Sequence, residues 1–245
     1  MATRARKRIA PVVHRAIATD ARSPAEWDAL FEILRDAVAR LPQTKAAMFM
    51  LADEGFNSVF EQVISAIISV RTTEEVTLPA SRRLFARART PAAVADLPLH
   101  DLELIISPAT FASAKARDIQ AIAVAARDEF GGTLPCDVEV LDSFRGVGPK
   151  VANLAIAASG QCAEAVGVPV DIHVHRIANR WGDINTITPE KSQPALEAVL
   201  PRRYWAEINR LLVPFGKFVC TGVAPKCSIC PLNSRCAKVG VTTHR

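Results

Sequence analysis

The 245-residue sequence has no hydrophobic run long enough to cross a membrane. Its longest apolar stretches, such as 63–70, fall far short of the roughly 20 residues that a spanning helix needs. The chain also shows no internal repeat, no low-complexity tract and no secretory signal. We therefore expect neither a membrane protein nor a repeat protein, and we expect a reducing compartment in which disulfides do not form.

The chain does contain enough apolar material, 49% of its residues, to bury a full core in one large domain or two small ones. Its net charge of +5 is concentrated at the N-terminus, where residues 1–22 hold six basic side chains and one acid. Such a tail suits phosphate binding, because each neutralised phosphate releases counterions. A disordered, solvated tail and an organellar transit peptide are the alternatives.

Capping signals and helical spacing of apolar residues predict an all-α fold. Ser23 and Ser58 each stand three residues before a glutamate, which is the pattern of a capping box. Thr90 and Thr188 each precede a proline that suits the first turn of a helix. Residues 168–175 alternate apolar and polar like a strand, but a strand without a partner is unstable, so we predict a loop that enters a helix.

Four of the six cysteines lie within seventeen residues, with the spacing Cys220-x6-Cys227-x2-Cys230-x5-Cys236. Four thiolates so close in sequence can surround one metal centre, either a [4Fe–4S] cluster or a structural zinc. The other two cysteines, Cys136 and Cys162, have no such pattern around them.

A second motif, Gly146-Val147-Gly148-Pro149-Lys150, connects two predicted helices. Glycines let a backbone approach a phosphate, and the next helix then directs its first N–H groups at the anion. A tight helix–helix connection is the alternative interpretation. In the first turn of that helix the dipole disfavours a positive charge on Lys150, and a neutral amine can attack a carbon electrophile. An ordinary phosphate-contacting lysine is the alternative.

A third motif, Val170-Asp171-Ile172-His173, directly precedes another predicted helix, so Asp171 is at least an N-cap. Together the three motifs resemble the endonuclease III type of helix–hairpin–helix DNA glycosylase, from about Ser58 to Cys236. This sequence differs from the family pattern at Phe144-Arg145, where relatives carry Leu-Pro, and at Arg71, where relatives carry glutamine.

The resemblance implies two helical lobes with a DNA-binding cleft between them. A six-helix lobe with the hairpin would span 52–162, and an iron–sulfur cluster lobe would combine 23–51 with 163–245. Lys150 would be the Schiff-base nucleophile and Asp171 the catalytic carboxylate, and the four cysteines of 220–236 would hold a [4Fe–4S] cluster. The implied DNA-contacting residues are Arg71, Phe111, Arg145, Gly146, Val147, Gly148, His173 and Lys226.

The implied function is excision of oxidised pyrimidines from duplex DNA, followed by β-elimination at the abasic site. The alternatives are the same fold acting on mismatched uracil or thymine, or only on abasic sites, and a non-catalytic DNA-binding module. We expect a monomer, because one cleft needs no second chain. If the protein is bacterial it should reside in the cytoplasm at the nucleoid, and the basic N-terminus leaves organellar or nuclear targeting as the alternative.

Overall fold

The computed structural model describes residues 21–162 and 167–245, and this part of the chain is built from helices and loops without a strand. The prediction of an all-α fold is therefore confirmed, and the predicted basic tail lies, up to residue 20, outside the described residues. These described residues form twelve α-helices: α1 (Pro24–Ala39), α2 (Ala47–Asp53), α3 (Val59–Ser69), α4 (Glu74–Arg87), α5 (Pro91–Ala95), α6 (Leu99–Ile106), α7 (Ala112–Asp128), α8 (Val138–Asp142), α9 (Pro149–Ser159), α10 (Ile172–Trp181), α11 (Pro189–Val199) and α12 (Ile208–Phe218). Short 3₁₀ turns follow at Arg202–Tyr204, Cys227–Ile229 and Asn233–Arg235. Within the described residues no helix is both long and apolar enough to span a bilayer.

The predicted helix starts are confirmed at the level of individual hydrogen bonds. Ser23 and Ser58 each form a complete capping box, in which the serine hydroxyl accepts from the backbone N–H of Glu26 or Glu61 and the glutamate accepts in return. Residues 168–171 form a loop, and α10 begins at Ile172, so the alternating segment is not a strand.

The helices enclose two separate hydrophobic cores. The first core is formed by α2 to α9 and centres on α3, whose residues 59–68 are all buried. The second core is formed by α1 with α10, α11 and α12. Met48 and Phe49 of α2 pack in the first core, although the predicted boundary at residue 51 placed them with the other lobe.

An ion pair joins helices of the two cores. The Lys217 ammonium on α12 lies 2.7 Å from a Glu74 carboxylate oxygen at the start of α4. Arg22, which the sequence places at the end of the basic tail, is anchored on the second core. Its Nε donates to Asp183 Oδ1 at 2.6 Å, and its guanidinium lies over the Trp27 ring.

Cys136 and Cys162 form a disulfide, with their Cα atoms 6.1 Å apart. The expectation that this chain forms no disulfides is therefore wrong. The two residues are 26 positions apart and flank the helical hairpin, one before α8 and the other after α9. Sequence spacing could not reveal the pair, because packing of the hairpin on the first core brings the two cysteines together.

Candidate active site

The predicted hairpin is formed by α8 and α9 and the six-residue turn between them. Gly146 adopts a φ of +86°, a conformation that an L-residue rarely takes, and Gly148 is the N-cap of α9. No described side chain caps this helix start, so the first N–H groups of α9 remain available to an anion. Val147 was predicted to contact DNA, but its side chain is buried and its N–H donates to Phe144 O at 3.0 Å. It stabilises the turn from inside.

Lys150 lies exposed in the first turn of α9. The neighbouring Arg145 is 85% exposed, and its Nε lies 3.4 Å from Asp118 Oδ1 on α7. Because Asp118 partly compensates the charge of Arg145, the repulsion between Arg145 and the Lys150 ammonium is reduced. Arg145 remains open to solvent and can still meet a phosphate.

Asp171 is the N-cap of α10, as its position in the sequence predicts. Its Oδ1 accepts from the backbone N–H groups of His173 and Val174, both at 2.9 Å. These two bonds fix the carboxylate against the start of the helix.

One cavity of about 420 Å³ brings Lys150 and Asp171 together. Lys150 reaches it from α9 of the first core, whereas Asp171 reaches it from α10 of the second core. The remaining lining residues include Ile172, Glu190 and Gln193. An amine and a fixed carboxylate facing one space can perform nucleophilic and acid–base chemistry on a bound group.

Glu190 and Gln193 of α11 were not among the predicted site residues. The Thr188-Pro189 signal predicts where their helix starts, but no local pattern shows which face of it borders the cavity. Only the packing of the two cores places this face in the cavity.

Behind Asp171, the His173 ring is held by an arginine. Arg176 Nη2 lies 3.0 Å from His173 Nδ1, and the same guanidinium donates to Gly216 O and to Cys220 O, both at 3.0 Å. Because arginine has no acceptor, Nδ1 accepts this bond and the neutral ring carries its proton on Nε2. Burial lowers the pKa of His173, and although Asp171 opposes the shift, nearby positive charges add to it.

The four C-terminal cysteines are free thiols, and all of them line a second cavity, next to Trp181 and Phe215. Arg180 Nη1 donates to Cys220 Sγ at 3.3 Å, and the Lys238 N–H donates to Cys236 Sγ at 3.4 Å. Lys226 lines the same cavity.

Such N–H···S contacts are typical of thiolate ligands in metal centres. Burial raises the pKa of the Cys230 thiol to about 11, and the other three cysteines add to this rise. Across residues 21–162 and 167–245, no group of three or more His, Cys, Asp or Glu side chains is arranged to hold a metal ion directly. The four-thiol donor set and its N–H donors nonetheless match what an iron–sulfur cluster requires.

The segment that contains both the hairpin and Asp171 matches a known protein family. Residues 64–202 match the family model of the HhH-GPD superfamily of base excision DNA repair proteins. The match covers more than half of the chain, including the hairpin, Lys150 and Asp171.

The chain belongs to the HhH-GPD superfamily.

Within this superfamily the chain is similar to endonuclease III and its homologues. It is 34% identical to endonuclease III of Thermotoga maritima over 205 residues, which is 84% of this chain and 91% of the relative. It is 36% identical to endonuclease III-like protein 1 of Bos taurus over 179 residues, or 72% of this chain, and spans only 58% of that relative's length. A trapped covalent intermediate of endonuclease III with DNA superposes with a TM-score of 0.67 at 25% identity, over 86% of this chain and 96% of that one.

In this HhH-GPD protein Arg71 and Phe111, two of the predicted DNA-contacting residues, lie exposed on neighbouring loops. Arg71 follows α3 with a φ of 51°, and Phe111 precedes α7 with a φ of 60° and is 60% exposed. The N–H of Thr110 donates to Thr72 Oγ1 at 3.2 Å, which ties the two loops together. Phe111 is therefore a surface residue and belongs to neither hydrophobic core.

Proposed function

We propose that this protein is a base-excision repair glycosylase that removes a damaged base from DNA and then cleaves the strand as an abasic-site lyase. The observation that carries the proposal is the cavity that Lys150 and Asp171 share. Each residue comes from a different core, so the reactive pair exists only at the cleft between the two. A non-catalytic DNA-binding module would have no need for this pairing.

In the proposed reaction the Lys150 amine attacks C1′ of the damaged nucleotide. The bond from C1′ to the base breaks, and the base departs with that electron pair and a proton. The fixed carboxylate of Asp171 stabilises the positive charge that develops on the sugar and accepts the proton from the lysine. The C1′–O4′ bond then breaks, O4′ takes the proton back from Asp171, and the opened sugar is joined to Lys150 as a Schiff base. This Schiff base acidifies the 2′ hydrogen, and loss of that proton expels the 3′ phosphate by β-elimination.

The proposed substrate is an oxidised pyrimidine in duplex DNA, extruded from the helix into the cavity. Extrusion costs a few kcal/mol, and side chains that fill the vacated space offset part of this cost. The exposed Arg71 and Phe111 are placed on adjacent loops, as two such side chains would need to be. Mismatched uracil or thymine, and abasic sites alone, are the alternative substrates, and the experiment below separates both of them from an oxidised pyrimidine.

The rest of the DNA contact is assigned to the hairpin. Gly146 and Gly148 let the backbone approach a phosphate, and the free N–H groups of α9 bind the anion. Arg145 adds an exposed cation beside them.

We assign a [4Fe–4S] cluster to Cys220, Cys227, Cys230 and Cys236, which line one cavity as free thiols. A cluster there braces the C-terminal loop, with Lys226 beside it, and takes no part in base removal. On this basis 52–162 is the hairpin lobe, and 23–51 with 163–245 is the cluster lobe, except that α2 packs with the hairpin lobe. We further propose that the protein acts as a monomer.

The deciding experiment is borohydride trapping on a duplex with a single thymine glycol, beside a duplex with a single abasic site. Wild type should form a covalent adduct with both substrates, and Lys150→Gln with neither. Lys191→Gln is the matched control, because Lys191 is an exposed lysine of α11 outside the cavity lining. Trapping only at the abasic site would point to another lesion or to an abasic-site specialist. No adduct from wild type with either substrate would refute the proposed chemistry.

A further inference from the structure

A buried lysine lies beneath the two exposed loops that carry Arg71 and Phe111. Lys115 on α7 is 5% exposed. Its Nζ donates to Ile68 O and Val70 O, both at 2.7 Å, and to Thr72 Oγ1 at 2.9 Å. All three acceptors belong to the segment that ends α3 and leads into the next loop.

These acceptors fix the loop on both sides of Arg71. The last carbonyls of a helix have no partner within the helix, and a cation at this end is favourable. Lys115 satisfies two of these carbonyl groups, at positions 68 and 70. The left-handed backbone of Arg71 costs of order 1 kcal/mol or more in a residue other than glycine, so it persists only when its neighbours are held.

The loop of Phe111 is tied to the same lysine. Phe111 is the N-cap of α7, and its carbonyl accepts the ordinary helical bond from the backbone N–H of Lys115 at 3.0 Å. Thr72 Oγ1 accepts from the Thr110 N–H as well as from the Lys115 ammonium. One threonine hydroxyl therefore joins both loops to the buried charge.

We propose that Lys115 is a positioning residue, which holds the Arg71 and Phe111 loops as one rigid unit for insertion into DNA. This inference rests on the proposed function, in which those two side chains enter the duplex. The three N–H groups of an ammonium match the three acceptors one to one. Burial lowers the pKa of Lys115 to about 8, which leaves the side chain mostly charged at neutral pH.

A purely structural role accounts poorly for the choice of lysine. Burying a charge is costly, and an unbranched apolar side chain such as methionine would fill similar space without that cost. What the ammonium adds is its three hydrogen bonds, and all of them go to the segment 68–72, which ends α3 and contains Arg71.

The first test measures amide hydrogen exchange in the free protein, so it is independent of any activity. In Lys115→Met and in Thr72→Val, peptides covering 68–73 and 108–115 should both exchange at least about tenfold faster than in wild type. Peptides from α12 should be unchanged, which separates loop release from general destabilisation. Unchanged exchange in either loop would overturn the inference.

The second test compares a duplex containing thymine glycol with a single-stranded oligonucleotide containing an abasic site. The single strand needs no extrusion, so borohydride trapping on it should stay within about twofold of wild type in both variants. Excision from the duplex should fall at least about tenfold, and Thr72→Ser, which keeps the hydroxyl, should restore it. Equal losses on both substrates would overturn the positioning role. Failure of wild type itself on both would instead refute the proposed function, and the exchange data would still decide whether Lys115 couples the loops.

Discussion

Gly216 on α12 makes the close approach of the Asp171-bearing helix possible, so Gly216→Ala should disturb the site without touching DNA. A methyl group added there would lie 2.4 Å from His173 Nδ1 and 3.0 Å from Arg176 Nη2. The nearer distance is below any ordinary contact, and the atom it meets belongs to a stiff ring. The ring must therefore move away, and its bond to Arg176 must lengthen or break.

The expected change in the free energy of unfolding combines two destabilising effects and one stabilising effect. Overpacking a well-packed region costs about 1–3 kcal/mol, and weakening a hydrogen bond to a charged donor costs about 1.5 kcal/mol. Replacement of a helical glycine by alanine returns up to about 1 kcal/mol. The net expectation is a loss of about 2 kcal/mol, which for a chain of this size lowers Tm by about 4–8 °C.

The assay is thermal unfolding followed by circular dichroism, together with single-turnover excision. Excision should fall more than binding, because the carboxylate of Asp171 is displaced along with the start of α10. Gly222→Ala is the stability control, since a methyl group there meets nothing within 4 Å. A Tm for Gly216→Ala equal to that of wild type would show that α10 and α12 are not packed as the structure has them.

Three further outcomes are expected. Purified protein should be brown and contain about four irons per chain. Cys230→Ser should lose this iron, and Cys136→Ser should keep it. Stoichiometric zinc without visible absorbance would contradict the cluster assignment. Under oxidising conditions Cys136→Ser should lower the stability by about 3.5 kcal/mol in the chain-entropy model, because the bridge joins residues 26 apart; a wild-type Tm that does not respond to dithiothreitol would argue against the bridge. The pKa of His173 is lower in the folded protein than the value of 6.5 expected in the unfolded chain, so protonation at low pH favours unfolding. The contribution of the neutral ring to stability is therefore complete above pH 6.5 and is lost as the pH falls below that value. Denaturant titrations at about pH 7.5 and 5.5 should therefore show that the free energy of unfolding falls more for wild type than for His173→Gln, and parallel losses would refute this.

Helix boundaries were predictable because the forces that set them act over three or four residues. The Ser58 capping box starts α3 where the sequence indicates it, and Asp171 caps α10 through the N–H groups that follow it. The helix predicted before the Gly146-Val147-Gly148 turn is α8, Val138–Asp142. Similarly, the density of cysteines over 220–236 is visible without any structure.

Contacts between distant segments were not predictable in this way. Val147 lies in a motif that suggests DNA contact, but packing of the hairpin turns its side chain into the first core. No local sequence pattern around Cys136 or Cys162 indicates a disulfide. The bond forms because the folded hairpin brings the residue after α9 next to the residue before α8. From the sequence alone, Lys115 is an ordinary charged residue of a predicted helix. In the structure it is buried beneath a loop that begins 45 residues earlier in the chain.

The sequence alone is enough to predict the all-helical fold, the helix starts and the four-thiol group, since these follow from local chemistry within short segments. The resemblance of its motifs to endonuclease III also marks Lys150 and Asp171 as the proposed reactive pair. The tertiary structure decided which faces meet. It alone placed α11 with Glu190 and Gln193 on the cavity, Gly216 against His173, and Lys115 under the loops of Arg71 and Phe111. The physical reason is that hydrogen bonding within a helix depends on near neighbours, whereas burial and close contact depend on which segments the two cores bring together.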